Sequence, residues 1–386
     1  MHISDRRRFL RSAAILLPAF ATKPSSLYNY DASRVRLAFA GCGNWGRSYL
    51  SLALRRNDLE TAAIYDNSSR ALQQGARLCR AAGKRIPELT GANWKGYTKI
   101  LERDDIDAVV IAAPWKEHYR MAEAALMAGK HVACGAVMGT TMEEHLRLVH
   151  LSRKTKRCYF TLDEQNYQRP LMAASQMAQA GVLGEVLHIT AGPSYLHLTP
   201  EHEEETTPYP QYPVMTAMKM LDMDNSALSM QVMPVTQEYI ACKRHPQSGN
   251  YYHVLQEDTL NMICLTAQSG QTLWLQHSTG NNRPLSADFR ITGSKGRWLN
   301  AINSVQLNGI WQKDVSLLTL YDHPRWQQPQ ITAHALALED FIQTLKHPQY
   351  AEKAVSRSAT ASIINLLAKA MTNSTDKIIL PDFNTL

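Results

Sequence analysis

Six residues, Gly41-Cys42-Gly43-Asn44-Trp45-Gly46, constrain this chain more than any other stretch, because they separate an apolar run from a helical one. Arg34 to Ala40 (RVRLAFA) has the β-branched and apolar character of a buried strand, and a helix-compatible segment begins inside the glycine motif. In that context a G-x-G-x-x-G is a dinucleotide cradle. Gly41 permits the tight turn, Gly43 lets the backbone approach a pyrophosphate, and Gly46 lets helix and strand pack closely. The helix N-terminus, which carries Asn44 and Trp45, offers partial positive charge to the phosphates. A second strand-like run, Thr61 to Tyr65, ends in Asp66, about twenty residues beyond the last glycine, the spacing expected of an acid on the adenosine ribose. Asp66 favours NAD over NADP by repelling a 2′-phosphate, and the nearby Arg70 softens that preference.

The alternation continues. Asp107–Ala113 is an almost unbroken apolar run, as in a strand covered on both faces, and His131–Cys134 and Cys158–Thr161 repeat that character. Helical segments Glu117–Ala128 and Thr141–Lys154 lie between them. The rhythm predicts a doubly wound parallel sheet, a Rossmann domain over residues 31–160. From about Gly184 the pattern changes to alternating strands: Glu185–Thr190, Tyr239–Lys243, Asp258–Thr266, Thr272–Ser278, Asp288–Thr292 and Arg297–Asn300. Glycine turns separate several of them, so residues 161–386 are expected to form an α+β domain with an open, mostly antiparallel sheet. Ala333–Leu345 and Ser356–Thr372 read as amphipathic helices closing the chain, and Pro200–Pro213 as a long loop.

The first thirty residues have a different purpose. Residues 5–11 (DRRRFLR), the apolar stretch SAAILLPAFA and the small-x-small triplet Ala19-Phe20-Ala21 form a signal peptide, too short to span a bilayer. The order R-R-x-F-L followed by a basic residue resembles the twin-arginine signal, which implies a twin-arginine export machinery as partner and a periplasmic or exported destination. The net charge of +7 is concentrated partly in those arginines, so it does not argue for nucleic acid, and no later stretch is long enough for stable membrane insertion. Folding before export also decides how the six cysteines (42, 79, 134, 158, 242, 264) are read: as free thiols of a chain folded under reducing conditions. No C-x-x-C spacing occurs and no metal site is expected. The run Glu201-His202-Glu203-Glu204-Glu205 reads as a solvated face.

These motifs together resemble the Gfo/Idh/MocA oxidoreductase family. The resemblance rests on the glycine signature, on Pro114-x-x-x-His118 after the fourth strand, on Gly181-x-x-Gly184-Glu185 leading into the second sheet, and on the turn Thr292-Gly293-Ser294-Lys295-Gly296. Within the family the chain is most similar to the NAD-dependent glycosidases of glycoside hydrolase family 109. Ala113-Pro114-Trp115 with His118, Asn166-Tyr167-Gln168-Arg169, Tyr195-Leu196-His197, Tyr212-Pro213 and Arg283-Pro284-Leu285-Ser286 carry that likeness. The resemblance implies that Pro114, Trp115 and His118 cover the nicotinamide. It also implies a small carbohydrate substrate, assembly of copies through the open sheet face, and a redox-neutral reaction. In that reaction a sugar hydroxyl is oxidised, the neighbouring C2 proton becomes acidic, the C1 substituent leaves, water adds and the hydride returns.

Two positions depart from the pattern. Where the family carries an acid, often followed by Lys-Pro, this chain reads Gly135-Ala136-Val137, and Met215 stands where the subgroup has a histidine. Neither glycine nor methionine can exchange a proton, and a missing general base typically costs about 10²–10⁴ in rate. Candidates for the chemistry are therefore Tyr167, His197 and His118, with Asp163 and Glu164 after the sixth strand. Tyr251, Tyr252 and Trp274 are aromatics of the kind that stack on sugars, with core packing as the default. Three functions are compatible: a self-recycling sugar enzyme, a net sugar dehydrogenase with exchangeable cofactor, and a dinucleotide-binding protein without catalysis.

Overall fold

The computed structural model describes residues 34–91, 93–192, 194–195, 210–211, 213–223, 228–244, 251–278, 289–312, 320–370 and 377–383. The expected export signal, the acidic run at 201–205 and His197 lie outside them.

Six parallel strands form the first sheet: β1 (Val35–Ala40), β2 (Leu59–Tyr65), β3 (Glu88–Thr90), β4 (Ala108–Ile111), β5 (His131–Cys134) and β6 (Tyr159–Thr161). Their order is β3-β2-β1-β4-β5-β6, so the winding reverses between β1 and β4. That reversal opens a crevice at the strand C-termini, and the glycine motif follows β1 directly into it. Ala108, Val109, Val110 and Ile111 are all fully buried, as an apolar strand covered on both faces should be.

On one face lie α1 (Asn44–Leu54) and α2 (Ser69–Ala81); on the other lie α3 (Trp94–Leu101), α4 (His118–Met127) and α5 (Met142–Thr155). The chain's last helices complete both layers. In α8 (Ala333–Lys346), Ala337, Leu338, Phe341 and Ile342 pack among Leu37, Phe39, Val110 and Leu50. In α9 (Ala351–Ala370), Val355, Ala359 and Ile363 pack with Val109, Val132 and Leu148. Burying a side chain the size of Phe341 contributes about 1.5–3 kcal/mol, so these late helices are part of the first sheet's core.

Nine further strands form a second sheet, ordered β16-β15-β14-β13-β7-β12-β11-β10-β17. It contains β7 (Val186–Ala191), β10 (Leu228–Arg244), β11 (Tyr251–Ala267), β12 (Thr272–Ser278), β13 (Arg290–Gly293), β14 (Gly296–Leu299), β15 (Ser304–Leu307), β16 (Ile310–Gln312) and β17 (Lys377–Ile379). Every pairing is antiparallel except β7 with β12, which runs parallel. In β12, buried Leu273 and Leu275 alternate with half-exposed Thr272, Trp274 and Gln276, so one face is packed and one is open. Trp274 meets His188 edge-on across that open face at 5.6 Å between ring centres. Two short strands, β8 (Ser194–Tyr195) and β9 (Pro210–Gln211), pair at the ends of the long 196–209 connection. Two helices not read from sequence, α6 (Arg169–Gln179) and α7 (Val214–Met220), join the layers. No helix of the described residues is long and apolar enough to cross a membrane.

Candidate active site

The dinucleotide end of the crevice is built almost entirely from backbone. Gly41 has φ +104°, and a Cβ on it would lie 2.4 Å from the Ala112 carbonyl oxygen. A Cβ on Gly46 would lie 2.2 Å from the Gly41 carbonyl oxygen, so helix and turn meet where only hydrogen fits. Gly43 is the opposite: a Cβ there meets nothing within 4 Å. It stands at the N-cap of α1, where no side chain caps the first turn and no acid lies within it. The free N–H groups and the open space above Gly43 suit a pyrophosphate. Asp66 is fixed by two backbone donors, with the Cys42 N–H 2.6 Å from Oδ2 and the Ser68 N–H 2.7 Å from Oδ1. It therefore holds the glycine turn, and each carboxylate oxygen keeps a lone pair for a further donor.

Of the other expected cofactor residues, Asn44 uses its side-chain oxygen to accept from Arg47, whose guanidinium also donates to Gln74 (2.6 Å) and to the Cys42 carbonyl (2.8 Å). Trp45 is half-buried and packs on Tyr49 at 4.5 Å between ring centres. Arg70 is exposed on α2. Pro114 and Trp115 open a 3₁₀ turn over the β4 C-terminus, with Lys116 lying against the indole.

At the reaction end His118 starts α4 and is buried. Its Nδ1 lies 2.7 Å from the Val137 carbonyl oxygen and its Nε2 lies 2.8 Å from the Ala113 carbonyl oxygen. Carbonyl oxygens only accept, so the two contacts together favour the ring protonated at both nitrogens. Burial alone would lower its pKa; Cys134 and the two carbonyls override that and hold it at about 9. A Cβ on Gly135 would stand 3.1 Å from the His118 Cε1, so ring and strand end are in contact. His118 thus clamps the 135–138 loop and has no ring nitrogen left for a substrate.

The same loop is held from below. The Met138 N–H donates to Ser362 Oγ of α9 (2.9 Å), Ser362 also bonds His145 Nε2 (2.8 Å), and Glu144 caps Thr140 and Thr141. These bonds fix the loop backbone, and Gly135 supplies no titratable side chain.

Tyr167 is likewise taken up by the protein. Its hydroxyl donates to Asp340 of α8, and Asp340 pairs with Arg325 (2.7 Å), which also reaches Glu339 (2.9 Å). Burial first, and then the Asp340 charge, push the phenol far above its ordinary range.

The turn after β6 contains the remaining carboxyls. Asp163 is 5% exposed and caps the 3₁₀ turn Glu164–Tyr167. It accepts from the Gln165 N–H (3.1 Å) and from Asn166 Nδ2 (2.8 Å). Burial, then the adjacent Glu164, raise its pKa to about 7 against those two donors. Asn166 carries the connection on: its Oδ1 accepts from the Thr216 N–H (2.9 Å) on α7, next to Met215. Glu164 Oε2 and the Tyr49 hydroxyl are buried and without a protein partner among the described residues. Cys42, Cys79, Cys134, Cys158 and Cys264 are free thiols.

Comparison with known proteins agrees with this architecture. Residues 35–162 match the model of the oxidoreductase family with NAD-binding Rossmann fold, and residues 204–385 match the glycosyl hydrolase 109 C-terminal domain. A glycosyl hydrolase family 109 protein of Stenotrophomonas maltophilia is 27% identical across 99% of this chain and 96% of its own length. A family 109 protein of Shewanella baltica is 24% identical over the same shares. Among solved structures, aldose-aldose oxidoreductase from Caulobacter crescentus superposes with a TM-score of 0.63 at 13% identity, covering 90% of this chain and all of that one. The myo-inositol dehydrogenase of Lactobacillus casei, solved with NAD(H) and myo-inositol, gives a TM-score of 0.62 at 15% identity, covering 91% of this chain and 99% of its own.

The fold and the glycine crevice define an NAD(P)-binding oxidoreductase. The chain resembles the Gfo/Idh/MocA oxidoreductases over residues 35–162 and the glycosyl hydrolase 109 C-terminal domain over residues 204–385, and is an enzyme of the NAD-dependent oxidoreductase or glycosidase kind.

Proposed function

We propose that this chain is an exported enzyme that acts on a sugar by reversible oxidation of a ring hydroxyl, cleaving a glycosidic bond through a transient 3-keto sugar with no net redox change. The observation that carries the reading is the crevice itself. An intact dinucleotide cradle at Gly41–Gly46 and Asp66 lies on the same sheet edge as a rigid loop at 135–141 and a turn bearing buried carboxyls. When bound there, the dinucleotide supplies a hydride acceptor that is restored at the end of each cycle. The chain's own residues do the rest: the α1 N-terminus and Gly43 hold phosphate, Asp66 holds the ribose, and the His118 clamp keeps the loop closed against the crevice floor. Asp66, with its carboxylate fixed beside the glycine turn, favours NAD over NADP.

The export signal at residues 1–30 supports a periplasmic location and a cofactor loaded before translocation, since little soluble dinucleotide is available outside the cytoplasm. A recycling reaction fits that setting better than a net dehydrogenase. The half-exposed open face of the nine-stranded sheet, with Trp274, His188 and Met262 on it, supports assembly with a second copy.

Purified mature protein mixed with a panel of nitrophenyl glycosides and free aldoses tests the reading. Release of nitrophenol without added dinucleotide is expected. Nicotinamide reduction at 340 nm that requires added dinucleotide, with no glycoside cleavage, would contradict it in favour of a net dehydrogenase. The specific observation favouring a non-catalytic dinucleotide binder is the pair Gly135 and Met215, and absence of both signals with every sugar would select it.

A further inference from the structure

Oxidising a hydroxyl to a ketone releases a proton as well as a hydride, and returning the hydride needs that proton back. A protein that performs this cycle must hold the proton between the two steps. The end of β5 carries Gly135, which has no titratable side chain, His118 has both nitrogens committed to carbonyls, and Tyr167 donates to Asp340.

The neighbouring strand provides a replacement. β5 and β6 are parallel and in register, with Cys134 opposite Thr161, and the ladder extends one step further through the Leu162 N–H to the Cys134 carbonyl (2.7 Å). Asp163 is the next residue, where the chain leaves the ladder and turns, its N–H donating to the Thr161 carbonyl (3.1 Å). Its carboxyl is not a surface group held in place by salt. Oδ1 and Oδ2 accept from Gln165 N–H and Asn166 Nδ2, and no cation pairs with it among the described residues. Asn166 bridges it to Thr216, beside Met215, so a single amide links this carboxyl to the helix where the subgroup histidine would stand.

We propose that Asp163 is the proton-holding group of this site, replacing the side chains missing at Gly135 and Met215, and that Asn166 positions it. The inference rests on the sugar-oxidising reading above. As the substrate C–H gives its hydride to the nicotinamide, the hydroxyl O–H bond breaks, its electron pair forms the C=O bond, and the proton passes to the Asp163 carboxylate. The reverse step returns it. The groups facing Asp163 are Glu164 and Tyr167 on its own turn, Tyr49 on α1, and behind Tyr167 the Asp340–Arg325 pair of α8 and the 324–327 turn. None is a cation in direct contact, and Glu164 adds a like charge. A carboxyl so placed exchanges its proton near neutral pH.

The test compares wild type, Asp163→Asn and Asp163→Glu as purified full-length mature holoprotein, with three readouts. The first is dinucleotide released on denaturation, which should be the same in all three and so separates a folded site from a lost one. The second is melting temperature from pH 4 to pH 8. The folded-state pKa lies above the unfolded one, so the folded state binds the proton more tightly. Wild type should lose stability as pH rises from about 4 to about 7, whereas Asp163→Asn should be flatter and melt several degrees higher at pH 8. The third is reduction of bound nicotinamide at 340 nm on mixing with the sugar panel. Asp163→Asn should slow it by about 10²–10⁴, and Asp163→Glu should recover part of the rate with a shifted pH profile. A variant within threefold of wild type, or identical melting profiles, would overturn the proposal. If wild type reduces with no sugar, the functional reading fails while the melting profiles still decide whether Asp163 titrates near neutrality.

Discussion

The two ends of the crevice solve their problems with different parts of the chain. The dinucleotide end is made of glycines, helix N–H groups and one carboxylate fixed by backbone donors. The other end presents Gly135 and Met215, which have no titratable side chain, while His118 and Tyr167 are bonded to the protein itself. The contrast teaches that binding and chemistry in this fold are separable. The cradle's shape lies in the main chain, and the loop beside it is held by separate contacts from His118 and Ser362.

If the cradle is backbone geometry, the largest effect should come from filling it. Gly46→Val places side-chain atoms where even a Cβ is 2.2 Å from the Gly41 oxygen. Loss of retained dinucleotide and a destabilisation above about 3 kcal/mol are expected, measured by mass spectrometry and chemical denaturation. A variant that kept its dinucleotide would break the comparison.

The next effect concerns the clamp. His118 has its folded-state pKa raised above the ordinary 6.5 to about 9, so its stabilisation is fully present below pH 6.5 and is lost as pH rises through 9. The expected loss over that window is on the order of 2–3 kcal/mol. Denaturation curves at pH 6 and pH 9.5 should show it in wild type, and His118→Gln should be less stable at pH 6 with a much smaller difference between the two.

Tyr167→Phe sharpens the comparison on a smaller scale. It removes one buried hydrogen bond to Asp340 and should cost about 1–2 kcal/mol in urea unfolding while leaving dinucleotide content unchanged. The smallest effect should be Gly135→Ala. Its added carbon meets the His118 Cε1 at 3.1 Å, so a shift of a few tenths of an ångström should accommodate it. Stability should change by less than about 1 kcal/mol, and a collapse of the fold would show that the clamp tolerates nothing there.

The same division decided what could be read from residues alone. Strands such as Asp107–Ala113 and His131–Cys134 stood out because burial on both faces demands unbroken apolar runs, and the glycine spacing is imposed by close backbone approach. β3, β15, β16 and β17 are three or four residues long and lack the unbroken apolar run that marked equally short β4 and β5. The parallel pairing of β7 with β12 depends on partners far apart in sequence. The structure places Asp66, expected from its spacing, against the glycine turn, and Asp163 and Glu164, expected after a strand, in the turn following β6. The commitments of His118 to Val137 and Ala113, of Tyr167 to Asp340, and of Asn166 to Thr216 join residues up to 173 positions apart, and no local pattern encodes them. His197, Tyr212, the acidic run at 201–205 and Arg283–Ser286 lie outside the described residues.

The central claim is that an intact cradle keeps a working dinucleotide in a protein whose reaction end has been rebuilt. Denaturing the purified protein and quantifying the released dinucleotide by mass spectrometry tests it most directly. The account predicts close to one NAD per chain. No dinucleotide, and no binding when NAD is added back, would contradict it and leave the glycine motif a fold element without a ligand.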